Sequence, residues 1–140
     1  MDLIRNDLAT QALSKALDGL SLRAQTIANN VANVDTPNFK SSEVAFEQDL
    51  QAALSRRSDG LPLATTNARH LSDGSSLTLD AVQPRAVPLL STSMRNDGNN
   101  VDIDRQMAQL AETQLSFQAA TQLLNTKFQQ LKLAIWEGKK

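Results

Sequence analysis

Ala28-Asn29-Asn30-Val31-Ala32-Asn33-Val34-Asp35-Thr36-Pro37-Asn38-Phe39-Lys40 is the stretch that decides the fold. It reads as a helix end running into a fixed turn. Pro37 has no backbone donor, and it pushes Thr36 toward extended geometry, so a helix arriving here stops near Asn33. Asn38 tolerates left-handed dihedrals. Asn29, Asn30 and Asn33 bring amide donors and acceptors to the point where the last carbonyls of a helix lack partners. They serve as local caps, as hydrogen-bonding groups toward a neighbouring molecule, or as both.

Upstream, the residues from about Asp7 to Asn33 carry one apolar seam. Leu13, Leu17, Leu20, Ala24, Ile27 and Val31 follow one another at spacings of 4, 3, 4, 3 and 4. That is the heptad stripe of a helix packed along its whole length. Ala9, Ala12, Ala16 and Ala28 widen the stripe and allow close approach. Gly19 costs about 1 kcal/mol against alanine inside a helix, and it predicts a place where a neighbouring backbone comes near.

Downstream, the chain from about Ser41 to Asn100 holds three of the four prolines and three of the five glycines. A short helix is expected around Val44 to Leu54. Leu77, Leu79 and Ala81 alternate with polar residues, a weak strand signal. Ser55 to Ser76 reads as loop or disorder. Asn96-Asp97-Gly98-Asn99-Asn100 is a turn cluster, after which Asn100 or Asp102 can cap a second long helix and Asp104 suits its first turn. Ile103, Met107, Leu110, Phe117, Leu124, Phe128, Leu131 and Ile135 form its seam, with Gln114 and Thr121 filling the missing heptad positions. The periodic run covers roughly 50 Å of helix, long enough to suggest a coiled-coil or assembly element. Gly138 and the terminal lysines suit its end.

The chain therefore divides into residues 1–34, an amphipathic helix; 35–100, a turn and a largely irregular middle; and 101–140, a long second helix. The fold class is mainly all-α, an antiparallel coiled-coil hairpin. Two helices alone leave much of each apolar face wet, so the missing burial is expected from other subunits. An ordinary small helical bundle is the plainer reading of the same pattern.

Composition narrows the function. Fourteen basic residues stand against 15 acidic ones, for a net charge of -1. That balance argues against nucleic acid and anionic membrane as main partners. There are no cysteines, hence no disulfides, thiolate nucleophiles or cysteine metal sites. The first residues lack the pattern of a cleavable secretory signal, and no run reaches the roughly 18 apolar residues of a membrane span. His70 is the single histidine and has no company for a metal site. The acidic run from Asp97 to Asp104 lacks the order and closing glutamate of a calcium loop. No catalytic constellation is present, and no cofactor is expected.

The thirteen residues from Ala28 to Lys40 closely resemble the ANNxANxxTPGYK signature of flagellar rod, hook and hook-associated proteins. Asp97-Gly98-Asn99-Asn100-Val101-Asp102-Ile103-Asp104 resembles the DGNxVDxDxE run that opens their C-terminal helix, above all in proximal-rod members. Asn38-Phe39 replaces Gly-Tyr, and Gln106 stands where glutamate is usual. Those departures put in doubt any hydrogen bond that the tyrosine hydroxyl or the glutamate makes in relatives.

The resemblance implies a structural protein of the flagellar basal body rather than an enzyme. Its terminal helices would stack into a tube around the export channel. The implied partners are further copies and other rod proteins, the MS-ring with its rod adaptor, and the type III export apparatus, which would deliver the chain uncleaved. The implied assembly residues are Asn29, Asn30, Asn33, Thr36, Pro37 and Phe39. Pro37 either ends the helix or turns the chain toward a neighbour, and Phe39 anchors its own subunit or the next. A proximal-rod sibling, a small secreted helical binding module and, most remotely, an enzyme are the competing readings.

Overall fold

A computed structural model describes residues 7–59, 79–90 and 95–137. Helix α1 spans Leu8–Ala32, strand β1 Ser42–Ala45, helix α2 Glu47–Asp59, strand β2 Arg85–Pro88 and helix α3 Ile103–Glu137, with a 3₁₀ turn at Leu79–Ala81. The two long helices lie antiparallel. The middle segment packs across α1 as a small strand pair with α2 and the 3₁₀ turn.

Helix α1 starts where its sequence allows. The side chain of Asp7 accepts hydrogen bonds from the Ala9 amide and the Thr10 hydroxyl, which satisfies one orphan donor of the first turn. It ends at Asn33, whose amide reaches back to the Asn29 and Asn30 carbonyls. Helix α3 is capped by Asp102, the nearer of the two candidates. Its carboxylate accepts from the amides of Asp104 and Arg105 at 3.0 and 3.2 Å.

An ion pair fixes the open end of the hairpin. Lys127 Nζ lies 2.9 Å from Asp7 Oδ2. Lys127 first, and then Thr10, hold the Asp7 carboxyl below its ordinary value of 3.8. A lowered carboxyl favours the folded state above the ordinary value, and that preference is lost as pH falls through the lowered one. Lys127→Met should therefore move the Asp7 titration upward, as read by carboxyl NMR; an unmoved titration would show that the pair does not hold in solution.

The middle segment corrects three expectations. The short helix begins at Glu47 rather than near Val44, and it runs past Leu54 to Asp59, through residues expected to be loop. Val44 instead belongs to β1, which pairs antiparallel with β2 in the register Ser42 to Pro88 and Ala45 to Arg85. Two strands of four residues are too short to show a period, and an isolated pair of strands is marginal. Packing of β1 on α1 supplies the support. Lastly, Leu79 and Ala81 form a 3₁₀ turn, not a strand. Leu79 and Val82 are buried while Asp80 and Ala81 are exposed, the three-residue repeat of a 3₁₀ turn rather than the two-residue repeat of a strand. Lys15 Nζ donates to the carbonyls of Asp80 and Val82 and so ties this turn to α1. His70, Leu77 and the stretch from residue 60 to Ser76 lie outside the described residues.

Two apolar clusters hold the middle to α1. Leu20, Val44 and Phe46 form one, with Leu22 and Leu50 against it. Ala53, Leu79 and Val82 form the other, joined by Leu8, Leu50 and Leu54. Gly19 is explained by the first. A Cβ there would stand 2.6 Å from two carbons of the Phe46 ring, so the close neighbour is a side chain of the same chain, not a backbone. Phe46 is 4 % exposed and hemmed in, with Arg23 above its ring. Gly19→Ala should gain about 1 kcal/mol of helix propensity and lose about 1–3 kcal/mol to overpacking. A net fall in urea stability is expected, and a net rise would mean that the ring shifts freely.

Candidate assembly site

The two motifs of the sequence meet in space. The turn that ends α1 packs against the loop that starts α3, and amide side chains join them. Asn99 is fully buried. Its Nδ2 donates to the carbonyls of Asn33, Val34 and Thr36 at 3.0, 3.0 and 2.9 Å. Its Oδ1 accepts from the Val101 amide at 2.7 Å. One side chain from the second motif thus satisfies carbonyls that the end of α1 leaves open. Arg95 adds a bond from Nη1 to the Val34 carbonyl and an ion pair with Asp35.

Asn38 and Gly98 both take positive φ, 61° and 80°, and they sit face to face. The Asn38 amide donates to the Asp97 carbonyl at 2.9 Å. A Cβ on Gly98 would lie 2.7 Å from Asn38 Oδ1. Glycine at position 98 thus answers both the dihedral and the contact. Lys40 Nζ closes the rim on the Gly98 carbonyl at 2.7 Å.

Two more buried amides extend the network. Asn100 accepts from the Ser41 amide and donates to the Leu89 carbonyl, which fastens both strands to the start of α3. Asn30 exchanges two hydrogen bonds with the Ser42 backbone and donates to Gln106 Oε1 at 3.0 Å. A glutamate at position 106 could accept that bond equally. Among the described residues, no buried side-chain polar atom lacks a partner, as a network of this kind requires.

Of the residues expected to act in assembly, Asn29 and Asn33 form a local cap, with Asn33 Nδ2 donating to the carbonyl and the side chain of Asn29. Asn30 is no cap; it bridges α1, β1 and α3. Thr36 donates to the Asn33 side chain, Pro37 is exposed, and Phe39 is half-buried. Asn99, Asn100 and Arg95 carry the junction; the sequence marks Asn99 and Asn100 as turn, cap or motif residues and does not single out Arg95.

The seam between α1 and α3 is rotated from the expected one. On α1, Leu20 and Ile27 are buried and Leu13, Leu17 and Val31 are half-buried. On α3, Leu110, Leu124 and Leu131 are half-buried, but Ile103, Met107, Phe117 and Phe128 are exposed in the single chain. Gln106, Thr113 and Ala120 are the buried residues instead. The Asn30–Gln106 bond and the Asp7–Lys127 pair fix this rotation, and the small Thr113 and Ala120 let α1 come close.

The model of the flagella basal body rod protein family matches residues 9–40, which are α1 and the signature turn. Over 130 residues the chain is 37 % identical to a flagellar basal body rod protein FlgB of Borrelia hermsii, covering 92 % of this chain and 96 % of that one. This chain belongs to the FlgB family. The FlgB of Bacillus subtilis (strain 168) is 35 % identical over 129 residues, covering 92 % of this chain and 94 % of its own. The FlgB of Salmonella typhimurium is 30 % identical over 131 residues. These FlgB matches extend well beyond the family model, so the likeness is not confined to the signature turn.

Proposed function

We propose that this chain is a structural subunit of the proximal rod of the bacterial flagellar basal body. It polymerises with other rod proteins into the drive shaft and export channel between the MS-ring and the distal rod, and motility requires it. It meets the ring through the rod adaptor protein. It reaches the periplasmic rod through the flagellar type III export apparatus, without cleavage of a signal peptide. It performs no turnover and uses no cofactor. No helix among the described residues is long and apolar enough to cross a membrane.

One observation carries the reading beside the family. Ile103, Met107, Leu115, Phe117, Leu123, Phe128, Leu133, Ile135 and Trp136 are all exposed along α3, at 41–74 % of their full surface. Large apolar side chains exposed on more than one side of α3 mark surfaces for other chains rather than a free solvated helix. Deletion of the gene, followed by electron microscopy of basal bodies, tests the reading. Rings without a rod and loss of swimming are expected. Complete flagella and normal swimming would overturn it.

A further inference from the structure

Helix α3 carries two lines of residues that repeat every seven positions and border a third. Leu110, Phe117, Leu124 and Leu131 form the shared line. Gln106, Thr113, Ala120 and Lys127 run along one side of it, and Met107, Gln114, Thr121 and Phe128 along the other. Helix α1 lies on the first side, where Gln106, Thr113 and Ala120 are 5 %, 3 % and 8 % exposed. Met107, Phe117 and Phe128 are left 51 %, 41 % and 43 % exposed. Burial alone favours a different seating. A turn of α3 by less than the roughly 100° between neighbouring residues would bring Phe117 and the Met107 side against α1.

Two polar ties, one toward each end of the contact, oppose that turn. Asn30 is fixed by the Ser42 backbone, with which it exchanges bonds of 2.9 and 3.0 Å. Its second Nδ2 hydrogen therefore has a set direction, and Gln106 Oε1 meets it at 3.0 Å. Asn30 is 1 % exposed, so a turned α3 would leave that hydrogen with neither acceptor nor water. At the other end Asp7 is fixed as the cap of α1, and Lys127 comes to it. The residues between favour neither seating. The Thr113 hydroxyl donates to the Gln109 carbonyl of its own helix, and the Ala120 side chain has no polar atom. Asn99 and Asn100 hold the loop before α3, but Val101 and Asp102 lie between and can take up a turn through their backbone dihedrals. The Arg105–Glu43 pair is exposed and holds weakly.

We propose that the chain has two seatings of α3 on α1, and that the Asn30–Gln106 bond and the Asp7–Lys127 pair together latch it in the less apolar one. In the second seating Phe117 faces α1 with Met107, Gln114 and Phe128. Gln106 and Lys127 return to solvent, and Thr113 moves to the edge of the contact. The latch thus keeps the strongest apolar line of the helix on the outside of the subunit. It acts whether or not the chain enters a rod.

The chain has no cysteine, so a single introduced thiol reports which side of α3 is covered. Thr113→Cys and Gln114→Cys are each made in the full chain and in the unlatched variant Gln106→Ala/Lys127→Ala, and their rates with a maleimide are compared. In the latched chain position 114 should react about tenfold or more faster than position 113, which is reached only by local opening. Without the latch the order should reverse, with helical dichroism unchanged. Retention of the parental order would overturn the proposal, since the ties would then not select the seating. Fast reaction at both positions, the sign of a released helix, would also overturn it. Met107→Ala and Phe128→Ala, both at exposed positions, remove the large side chains of the competing side. Added to the unlatched variant, they should bring back the parental order; a reversed order that persists would overturn the proposal as well.

Discussion

Asn99→Asp should destabilise the folded chain by about 3 kcal/mol or more, the scale of an uncompensated buried charge. The substitution barely changes shape, so packing is not the cause. Asparagine presents Nδ2 to the carbonyls of Asn33, Val34 and Thr36. Aspartate puts a second carboxylate oxygen there, facing three acceptors with no donor. The bond from the Val101 amide to the remaining oxygen does not offset that. Asn99→Ala should cost less, about 1–3 kcal/mol, because it leaves the carbonyls without a partner but adds no repulsion.

The pH dependence separates the two variants. Burial and facing carbonyls raise the carboxyl of the aspartate variant, and its protonated form can donate one hydrogen bond. A group raised in the folded state recovers stability as pH falls through that raised value. The gap between Asn99→Asp and the parent should therefore narrow between pH 7 and pH 5 in urea unfolding followed by circular dichroism, while the gap for Asn99→Ala stays constant. Equal stability of Asn99→Asp and the parent at pH 7 would mean that water reaches this junction and that the amide is not its lock.

Both ends of α1 and the start of α3 were legible because they depend on local chemistry; Gly138 and the terminal lysines lie outside the described residues. Asp7 and Asn33 bound the first periodic run and Asp102 is a capping residue before the second, and each caps its helix in the structure. The rotation of α3 was not legible, since a heptad count follows the strongest apolar stripe. On α3 that stripe includes Met107 and Phe128, whereas α1 lies against Gln106, Thr113 and Ala120. Sequence alone cannot say that the polar edge of a stripe packs inside the chain while its apolar edge faces outward. The amide bond from Asn30 makes the burial of Gln106 affordable, and that partner lies 76 positions away. The junction was half legible. Asn99 and Asn100 stood out as turn residues, but the carbonyls they serve belong to a distant segment. The strands and the Phe46 contact of Gly19 left no periodic trace at all.

Leu20→Asp should abolish swimming and rod formation, and it should do so by unfolding the subunit. Leu20 is 8 % exposed and packs with Val44 and Phe46. Truncating a buried leucine to alanine costs about 2–5 kcal/mol, and an aspartate adds the burial of a charge. Arg23, the cation over the Phe46 ring, is already committed to Glu47 and to the Val44 carbonyl. A small domain has only about 5–15 kcal/mol of stability to lose, so the variant should be largely unfolded and show reduced helical dichroism. Normal swimming with this substitution would remove Leu20 from the core and the hairpin from the rod. Ser21, one position on, is the informative contrast. Its side chain is exposed, so Ser21→Arg should keep its helix content. Loss of helix in the first variant and its retention in the second would show that the core of the subunit lies on the Leu20 side of α1 and does not extend to its neighbour in the chain.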